Sequence, residues 1–320
     1  MGMTRVLVTG GAGFIGSALV KFWIRSDPKV SIVNLDKLTY CGDLGRLKDL
    51  QGNSRHHFVQ ADVCHSKDVE KAMDGCSIVV HLAAESHVDR SLLEGKVFLD
   101  TNIDGTYVLL ETARKKGVKK FLQVSTDEVY GSRPKGYFTE KDLLHPSSPY
   151  SVSKAAGDLL ALSYFTTHGL PVIVTRGSNT FGPYQYPEKV VPLFVSNALA
   201  GKNLPLYGDG RQIRNWIYVD DHCRGILHAL KKGKAGEVYN ISSDTELENI
   251  DLTSLILKTL GKSESLIERV KDRLGHDRRY AISSTKLRAL GWKEKHSFNT
   301  AFRSTVLWYR DHEAWWSKYV

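Results

Sequence analysis

Residues 5–16 read Arg5-Val6-Leu7-Val8-Thr9-Gly10-Gly11-Ala12-Gly13-Phe14-Ile15-Gly16, and this stretch decides the fold of the chain. Five β-prone residues precede the glycines, and an apolar helical pattern from about 15 to 26 follows them. This order predicts a strand, a tight glycine turn and a helix. The glycine spacing fits both G-x-x-G-x-x-G and G-x-G-x-x-G, which let a backbone turn tightly and approach a phosphate group closely.

Asp36 ends a second predicted strand, 30–35, and lies twenty residues after the last of these glycines. A carboxylate at this place can accept hydrogen bonds from both hydroxyls of a ribose, and it would repel a 2′-phosphate. The pattern therefore predicts a dinucleotide site that takes NAD, although Lys37 beside it weakens the preference over NADP. Asp62 and Val63 follow a third predicted strand, where Asp62 is interpreted either as a contact to adenine or as a helix cap.

Strand and helix patterns alternate through the first 180 residues. Strands are predicted near 5–9, 30–35, 57–60, 78–82, 121–125 and 172–175, with helices near 15–26, 66–74, 97–116 and 150–167. This alternation predicts an α/β fold with a Rossmann-type, doubly wound parallel sheet that is covered on both faces.

Proline and glycine become frequent after residue 180, and further helices are predicted near 190–200, 221–231, 251–260 and 299–311. We expect a smaller substrate-binding lobe that is interleaved with the first domain. Residues 1–178 are assigned to the NAD-binding domain, with 216–242 returning to it. The lobe is assigned residues 179–215 and 243–320.

The composition excludes several classes of protein. The chain has 320 residues, of which 42% are hydrophobic and 25% charged, as expected of a globular enzyme. No membrane span or signal peptide is predicted, and four scattered cysteines indicate free thiols in the reducing cytoplasm. No metal site is expected because the twelve histidines lack metal-binding spacing. The net charge of +9 is dispersed, which favours a solvated surface over a nucleic-acid site.

Tyr150 and Lys154 have the Tyr-x-x-x-Lys spacing at the start of a predicted helix, so they share one helix face. Tyrosine is a poor base at its ordinary pKa of about 10, but a nearby ammonium group and a charged nicotinamide would favour the phenolate. Thr126, Asp127 and Glu128 close the fifth predicted strand, at the sheet edge where ligands of α/β folds bind. The two carboxylates indicate an acid and a base; the alternative is a polar turn in which Asp127 caps a helix.

Together these residues resemble the extended short-chain dehydrogenase/reductase superfamily and, within it, the dTDP-glucose 4,6-dehydratases. The resemblance runs almost end to end, through the glycine turn, Asp36 to Tyr40, His81 to Ser91, Ser125 to Gly131, Tyr150 to Lys154, Tyr207 to Arg214 and Gly275 to Tyr280. Its most discriminating part is Thr126-Asp127-Glu128, because the related 4-epimerases and decarboxylases do not usually carry the Asp-Glu pair.

The resemblance implies an NAD-dependent lyase that converts a nucleotide-diphosphate hexose, dTDP-glucose or UDP-glucose, to its 4-keto-6-deoxy sugar and water. Tyr150 would take the proton of the sugar 4-hydroxyl, Thr126 would hydrogen-bond that oxygen, and Lys154 would hold the nicotinamide ribose and lower the tyrosine's pKa. The hydride passes from C4 to NAD and returns at C6. Between these transfers, Glu128 would remove the C5 proton and Asp127 would protonate the leaving 6-hydroxyl.

The resemblance also implies where the ligands lie. The cofactor-binding set is Gly10, Gly13, Phe14, Ile15, Gly16, Asp36, Lys37, Asp62, Val63, Leu82, Ala83, Ala84, Tyr150 and Lys154. The substrate-binding set is Glu85, Thr126, Asn179, Glu188, Lys189, Arg214, Asn249 and His276, with Arg211 as a further candidate. Thr180, Asn215 and Leu274 depart from the residues usual at their positions, which puts the nucleotide or sugar preference in doubt.

Other functions remain open at this point. A 4-epimerase or decarboxylase of the same superfamily would share the fold, and a non-catalytic NAD-binding regulator is a remoter alternative. The superfamily resemblance further implies a homodimer through the helices near 97–116 and 150–167. Apolar residues at helical spacing are expected to form its interface: Val108, Leu109, Thr112, Leu159, Leu162 and Phe165.

Overall fold

A seven-stranded parallel sheet forms the centre of the molecule, whose computed structural model describes residues 3–319. Residues 1–2, which begin the expected NAD-binding domain, and residue 320, which ends the expected lobe, lie outside the described residues. The strands of this sheet are β1 (Thr4–Thr9), β2 (Val30–Asp36), β3 (His56–Gln60), β4 (Ile78–His81), β5 (Lys120–Thr126), β6 (Val172–Gly177) and β10 (Val238–Ile241). Their spatial order is β3-β2-β1-β4-β5-β6-β10, so the strand order reverses between β1 and β4. In such sheets ligands bind beyond the carboxyl ends of the strands at this reversal.

Helices cover both faces of the sheet, which confirms the predicted doubly wound α/β fold. The helices of the first 180 residues are α1 (Phe14–Ser26), α2 (Ser66–Ala72), α3 (Val88–Leu93), α4 (Gly95–Leu99), α5 (Gly105–Lys115) and α6 (Pro149–His168). A π-helical turn, Asp100–Asp104, joins α4 to α5. In the remaining chain they are α7 (Val190–Leu199), α8 (Val219–Lys232), α9 (Asn249–Leu260), α10 (Thr285–Ala289), α11 (Phe298–Asp311) and α12 (Glu313–Trp316).

Strand β1 shows why this sequence forms a central strand. Val6 and Val8 pack on one face with α1 and α8, whereas Leu7 packs on the other with α2, α5 and α6. All three side chains are fully buried. A strand buried on both faces needs a continuous apolar run, and Val6, Leu7 and Val8 supply one.

The smaller lobe has its own core. Two short sheets belong to it: β7 (Asn179–Phe181), β9 (Ile213–Tyr218) and β11 (Glu246–Glu248) form one, and β8 (Leu204–Tyr207) pairs with β12 (Ile267–Val270) in the other. Apolar side chains of α7, α9 and α11 pack together beside these strands. The lobe therefore lies along the chain just beyond β6, next to the carboxyl edge of the large sheet.

The chain passes from the lobe back to the large sheet within β9. Trp216 is buried in the core of the lobe, whereas Ile217 and the residues of α8 are buried in the core of the large sheet. The segment 243–320 does not lie wholly in the lobe, since Leu287 and Trp292 are buried in the core beneath α1 and α8. Residues after β12 thus cross back to the large sheet before α11 returns to the lobe.

Within residues 3–319, no helix combines the length and apolar character needed to cross a membrane.

Candidate active site

One continuous cleft runs along the carboxyl edge of the large sheet and opens between the sheet and the lobe. It is lined by every residue of the expected cofactor-binding and catalytic sets. Five residues of the expected substrate set line it as well: Glu85, Thr126, Asn179, Glu188 and Lys189. The structure therefore brings together residues as far apart in the sequence as Gly10 and Lys189.

In the glycine turn at the start of α1, the glycines pack directly against other backbone atoms. Gly10 has φ +72°, and a Cβ there would lie 2.6 Å from the backbone nitrogen of Ala83. A Cβ on Gly16 would lie 2.1 Å from the carbonyl oxygen of Gly10. The N-cap residue of α1, Gly13, offers no side-chain cap, and the first turn holds no acidic residue. Free N–H groups and the positive end of the helix dipole therefore face the cleft, which fits the pyrophosphate of NAD.

Asp36 is fixed at the end of β2 by two backbone donors. Its Oδ2 accepts a hydrogen bond from the Ala12 N–H at 2.9 Å, and its Oδ1 accepts one from the Leu38 N–H at 2.8 Å. Each carboxylate oxygen has a second lone-pair direction, so both can still accept from the hydroxyls of a ribose. This carboxylate is thus oriented before any ligand arrives.

Lys37 and Asp62 form an ion pair with Nζ and Oδ2 2.7 Å apart. The other oxygen of Asp62 accepts from the Cys64 N–H at 3.0 Å, and this bond helps to keep the pKa of Asp62 below its ordinary value against the effect of burial. The residue that precedes α2 is His65. The helix-cap interpretation of Asp62 is therefore wrong, and its carboxylate lies at the cleft instead.

Helix α6 presents Tyr150 and Lys154 from its first turns. Ser148 and Ser151 form a capping box, and Pro149 occupies the first turn, where its missing N–H costs nothing. The Tyr150 ring is buried, and the Lys154 ammonium donates to the carbonyl oxygen of Val124 at 2.7 Å. Both side chains are thereby held over the end of β5.

Burial dominates the acid–base properties of this pair. Burial, and then the Glu128 carboxylate, raise the pKa of Tyr150 well above its ordinary value. Burial lowers the pKa of Lys154 to about 8, while Asp158 acts in the opposite direction. Desolvation of the phenol thus outweighs the effect of the Lys154 ammonium, which is bonded to Val124, so the expected phenolate depends on the charged nicotinamide as well.

Asp127 lies in a short 3-10 turn, Asp127–Tyr130, that begins directly after β5. The cap of this turn is the Thr126 hydroxyl, which accepts from the Glu128 N–H at 3.3 Å and donates to Asp127 Oδ1 at 3.2 Å. Asp127 Oδ2 is buried and finds no partner among residues 3–319. Burial, then the neighbouring Glu128 charge, raise the pKa of Asp127 to about 8.

The Glu128 carboxyl group has different charges around it from those around Asp127. Burial raises its pKa, but the positive charges of Lys189, Arg273 and Arg214 oppose that rise. For Asp127, the cation that opposes the rise in pKa is Arg214. Burial therefore raises the pKa of both adjacent carboxyl groups, but Glu128 has more cations near it that oppose the rise than Asp127 has.

Three residues of the expected substrate set do not line the cleft itself. Arg214 is buried behind the two carboxyl groups, with its guanidinium 4.2 Å from the Tyr280 ring centroid and 3.0 Å from the Asp277 carbonyl oxygen. His276 Nδ1 lies 2.6 Å from Asp272 Oδ1. Asn249 begins α9, with its backbone N–H bonded to Gln212, and nothing brings its side chain to the cleft.

The three departures from the usual pattern have structural explanations or lie at the surface. Asn215 is fully buried, and its amide donates to the carbonyl oxygens of Ser243 and Thr245 while its Oδ1 accepts from Ile282. An aspartate could not donate these bonds, so this residue holds the lobe together rather than selecting a substrate. Leu274 is 81% exposed. Thr180 alone lines the cleft.

Sequence reasoning missed several residues that line the cleft, among them Thr39, Cys41, Ser125, Ser178, Gln185, Trp216 and His222. Ser125 and Ser178 end or follow strands of the large sheet, so their position beside predicted strand ends is a signal that could have found them. His222 gives no such signal, because it lies inside α8.

A C-terminal clasp, residues 315–319, is held against the loop after β2. Asp43, in the loop after β2, accepts from Tyr319 at 2.7 Å and from the Trp315 indole at 3.0 Å. The neighbouring Arg46 lies with its guanidinium 5.3 Å from the Trp315 ring and donates to the Ala12 carbonyl oxygen at 2.9 Å. The clasp is thus connected directly to the glycine turn.

Comparisons with known proteins agree with this geometry. The sequence model of a family described as GDP-mannose 4,6 dehydratase matches residues 7–305. A dTDP-glucose 4,6-dehydratase of Streptomyces griseus is 48% identical over 99% of this chain and 97% of its own length. The crystal structure of DesIV, a dTDP-glucose 4,6-dehydratase from Streptomyces venezuelae with NAD and TYD bound, has a TM-score of 0.98 at 45% identity and covers 99% of this chain and 100% of that chain.

A second enzyme class shares the fold at a greater distance. The UDP-glucose 4-epimerase of Thermus thermophilus, solved in complex with NAD, has a TM-score of 0.89 at 30% identity and covers 97% of this chain and 100% of that chain. The fold alone therefore does not separate dehydratase from epimerase, whereas identity over the whole length does. The chain belongs to the GDP-mannose 4,6-dehydratase family of the extended short-chain dehydrogenases/reductases, and it is similar along its full length to the dTDP-glucose 4,6-dehydratases.

Proposed function

We propose that this protein is an NAD-dependent nucleotide-sugar 4,6-dehydratase that converts dTDP-glucose to dTDP-4-keto-6-deoxyglucose and water. The observation that carries the proposal is the contrast between Asp127, which is buried and lacks a partner for one oxygen among the described residues, and Glu128, which faces three cations. Both lie in the same cleft as Tyr150 and the glycine turn. An epimerase needs the last two features only.

NAD supplies a hydride acceptor at the sugar C4 and gives the hydride back at C6. The Tyr150 phenolate accepts the proton of the 4-hydroxyl during the first transfer, and the Thr126 hydroxyl would turn from Asp127 Oδ1 to hydrogen-bond that oxygen. Because burial raises the pKa of Tyr150, the charge that favours its phenolate comes with the positive nicotinamide ring, and Lys154 fixes the ribose next to it.

The carboxyl groups carry out the loss of water. A ketone at C4 makes the C5–H bond acidic, and Glu128 removes that proton as a general base. Asp127, whose pKa of about 8 leaves it protonated at neutral pH, gives its proton to the departing 6-hydroxyl. Cations beside Glu128, including Lys189 and Arg214, oppose the rise that burial causes in its pKa and so favour its carboxylate form. Lys189 also lines the cleft, where a substrate diphosphate could reach it.

The substrate follows from the same positive cluster and from the relatives. Lys189 lines the cleft, and Arg273 and His276 lie beside Arg214, so the lobe offers several donors to a diphosphate. The dehydratases named above act on dTDP-glucose, which favours thymine as the base. We assign NAD to the large domain and the nucleotide sugar to the lobe.

The experiment that tests this function uses three substrates and one label. Protein incubated separately with dTDP-glucose, UDP-glucose and GDP-mannose should release water from the first, seen as the mass of one water lost from the product. With dTDP-glucose deuterated at C4, the deuterium should appear at C6 of the product. Unchanged mass with epimerised sugar would overturn the proposal in favour of a 4-epimerase.

We further propose that the protein is a homodimer through α5 and α6 and that it works in the cytoplasm. Tyr107 is 51% exposed on α5 and Leu159 is 59% exposed on α6, which leaves apolar surface on both helices. Leu109, which was expected at this interface, is instead buried in the subunit's own core. Thr112, also expected there, is buried as well. All four cysteines are free thiols, which suits a reducing compartment.

A further inference from the structure

His222 is a buried histidine at the nicotinamide end of the cleft that the proposed mechanism does not use. It belongs to α8, is 2% exposed and lines the cleft together with Ser178 and Thr180. Its ring packs so closely against Gly177 that a Cβ on this glycine would lie 2.4 Å from the ring's Cε1. Glycine at 177 therefore makes room for the imidazole.

The hydrogen bonds around His222 determine which ring nitrogen carries the proton. The Thr180 hydroxyl donates its one proton to the Ser178 carbonyl oxygen at 3.1 Å. It can therefore only accept in its second contact, which joins it to His222 Nδ1 at 2.8 Å. Nδ1 must carry the proton, so Nε2 is left with a bare lone pair.

Nε2 of His222 has no hydrogen-bond partner among the described residues and is shielded from solvent. Burial lowers the pKa of His222 to about 4, so the imidazole stays neutral at physiological pH and Nε2 stays an acceptor. A buried acceptor without a donor is costly, which indicates that a ligand completes it.

The position of His222 identifies the donor. Gly177 lies opposite Thr126 in the pairing of β5 with β6, and Thr126 lies beside Tyr150. Tyr150 reaches this place from α6 on one face of the sheet, whereas His222 reaches it from α8 on the other. A nicotinamide ring between them would turn its reacting face to Tyr150 and the sugar, and its only N–H donors are those of the carboxamide.

We propose that His222 Nε2 accepts a hydrogen bond from the carboxamide N–H of the bound nicotinamide, and that the Thr180 hydroxyl fixes the tautomer which makes this possible. The residue is thus a positioning residue that sets the rotation of the ring over C4 of the sugar. Thr180, which departs from the residue usual at its position, has a role in this arrangement. The inference rests on the proposed use of NAD.

The test compares two dinucleotides that differ in the group concerned. In 3-acetylpyridine adenine dinucleotide a methyl group replaces the carboxamide NH2, so it cannot donate to Nε2. Titration calorimetry on protein freed of dinucleotide should show that the wild type binds NAD about tenfold more tightly than this analogue. His222→Phe should weaken NAD binding about tenfold and change analogue binding less than about threefold, so that the preference disappears.

Matched variants separate this role from a structural one. His222→Gln should restore part of the preference, because its amide oxygen can accept the same bond. Thr180→Val should reduce the preference, whereas Thr180→Ser, which keeps the hydroxyl, should retain it. If His222→Phe and His222→Gln each weakened the binding of both dinucleotides equally, the inference about His222 would be overturned. The proposal that NAD binds in this cleft would not be affected by that result. Failure of the wild type to bind either dinucleotide would overturn the proposed function as well.

Discussion

Lys37 Nζ lies 2.7 Å from Asp62 Oδ2, so the ammonium group next to Asp36 is already paired with a carboxylate. A cation in this position could otherwise attract the 2′-phosphate of NADP. The ion pair instead leaves Asp36, with its two backbone donors, to face the ribose. Asp62 therefore contributes to cofactor choice through the cation that it neutralises.

This relationship predicts the effects of two substitutions on cofactor preference. Asp62→Asn should free Lys37 and narrow the preference for NAD over NADP by about tenfold, on the scale of one charged contact. Lys37→Met, the matched control, should leave NADP binding as weak as in the wild type. Calorimetric titration with both dinucleotides measures the ratio, and a larger narrowing in Lys37→Met would contradict the pairing argument.

Tyr150→Phe should reduce turnover by about 10²–10⁴-fold, the usual range for losing an acid or base, while NAD affinity changes little. The ring can still fill its buried place, but the phenol oxygen that accepts the sugar proton is gone. Product formation and dinucleotide content of the purified variant should be measured together. Retention of most of the wild-type rate would show that another group is the base.

Glu128→Gln should stop the reaction after the first hydride transfer. Tyr150 remains intact, so absorbance of reduced cofactor should rise on mixing with dTDP-glucose, while sugar product falls by about 10²–10⁴-fold. Asp127→Asn should slow the loss of water more than the first oxidation. If neither variant accumulated reduced cofactor and both lost the first step, the two carboxyl groups would not have the separate roles proposed here.

The raised pKa of Asp127 predicts how stability depends on pH. Its folded-state pKa of about 8 lies above the unfolded value of about 3.9, so the stability that this group contributes is complete below about pH 4 and is lost as pH rises through about 8. As pH rises from about 5 to about 8, the free energy of unfolding should therefore fall less in Asp127→Asn than in the wild type. Urea unfolding at several pH values measures the slope, which Asp251→Asn at the surface should leave unchanged.

Leu159→Glu should convert the protein to a monomer, because it places a charge in the apolar surface of α6. Lys232→Glu at the exposed end of α8 is the matched control and should leave the mass unchanged. Light scattering at micromolar concentration distinguishes the two states. A monomeric wild type, or a dimer that persists in Leu159→Glu, would place the interface elsewhere or remove it.

The large sheet was predictable because five of its first six strands contain a buried apolar run, and β3 carries the half-buried Phe58 and Val59. The seventh, β10, was missed because it is only Val238–Ile241 and carries Asn240, whose side chain is buried through a bond with Tyr130 at 2.9 Å. The lobe's short strands were missed for a similar reason: their pairing joins segments far apart in the chain, which local patterns do not encode.

The proposed dimer surface shows a second limit of periodicity. Helical spacing predicted an apolar stripe on the helix near 97–116 but could not say which side faces the sheet, and Leu109 lies in the core against the sheet. The π-helical turn Asp100–Asp104 adds to the difficulty, since its wider turn changes the phase between α4 and α5.

The site itself was largely predictable where its chemistry is local. The glycine turn, Tyr150 with Lys154, and Asp127 with Glu128 are each contained within a few residues. His222 depends on Thr180, which is 42 residues away, and acquires its partner only when α8 packs against the end of β6. No spacing rule could have indicated that contact.

The clasp between Asp43 and Tyr319 joins residues separated by 276 positions, and this has a consequence for the order of folding. The entropy cost of closing a loop grows with its length, and contacts between distant residues form slowly. The turn around Gly10 joins a strand to the helix that follows it directly, so we expect it to form early, and we expect the contacts of Asp43 with residues 315–319 to form late. The segment 315–319 should therefore be the last part of this region to become ordered as the chain folds.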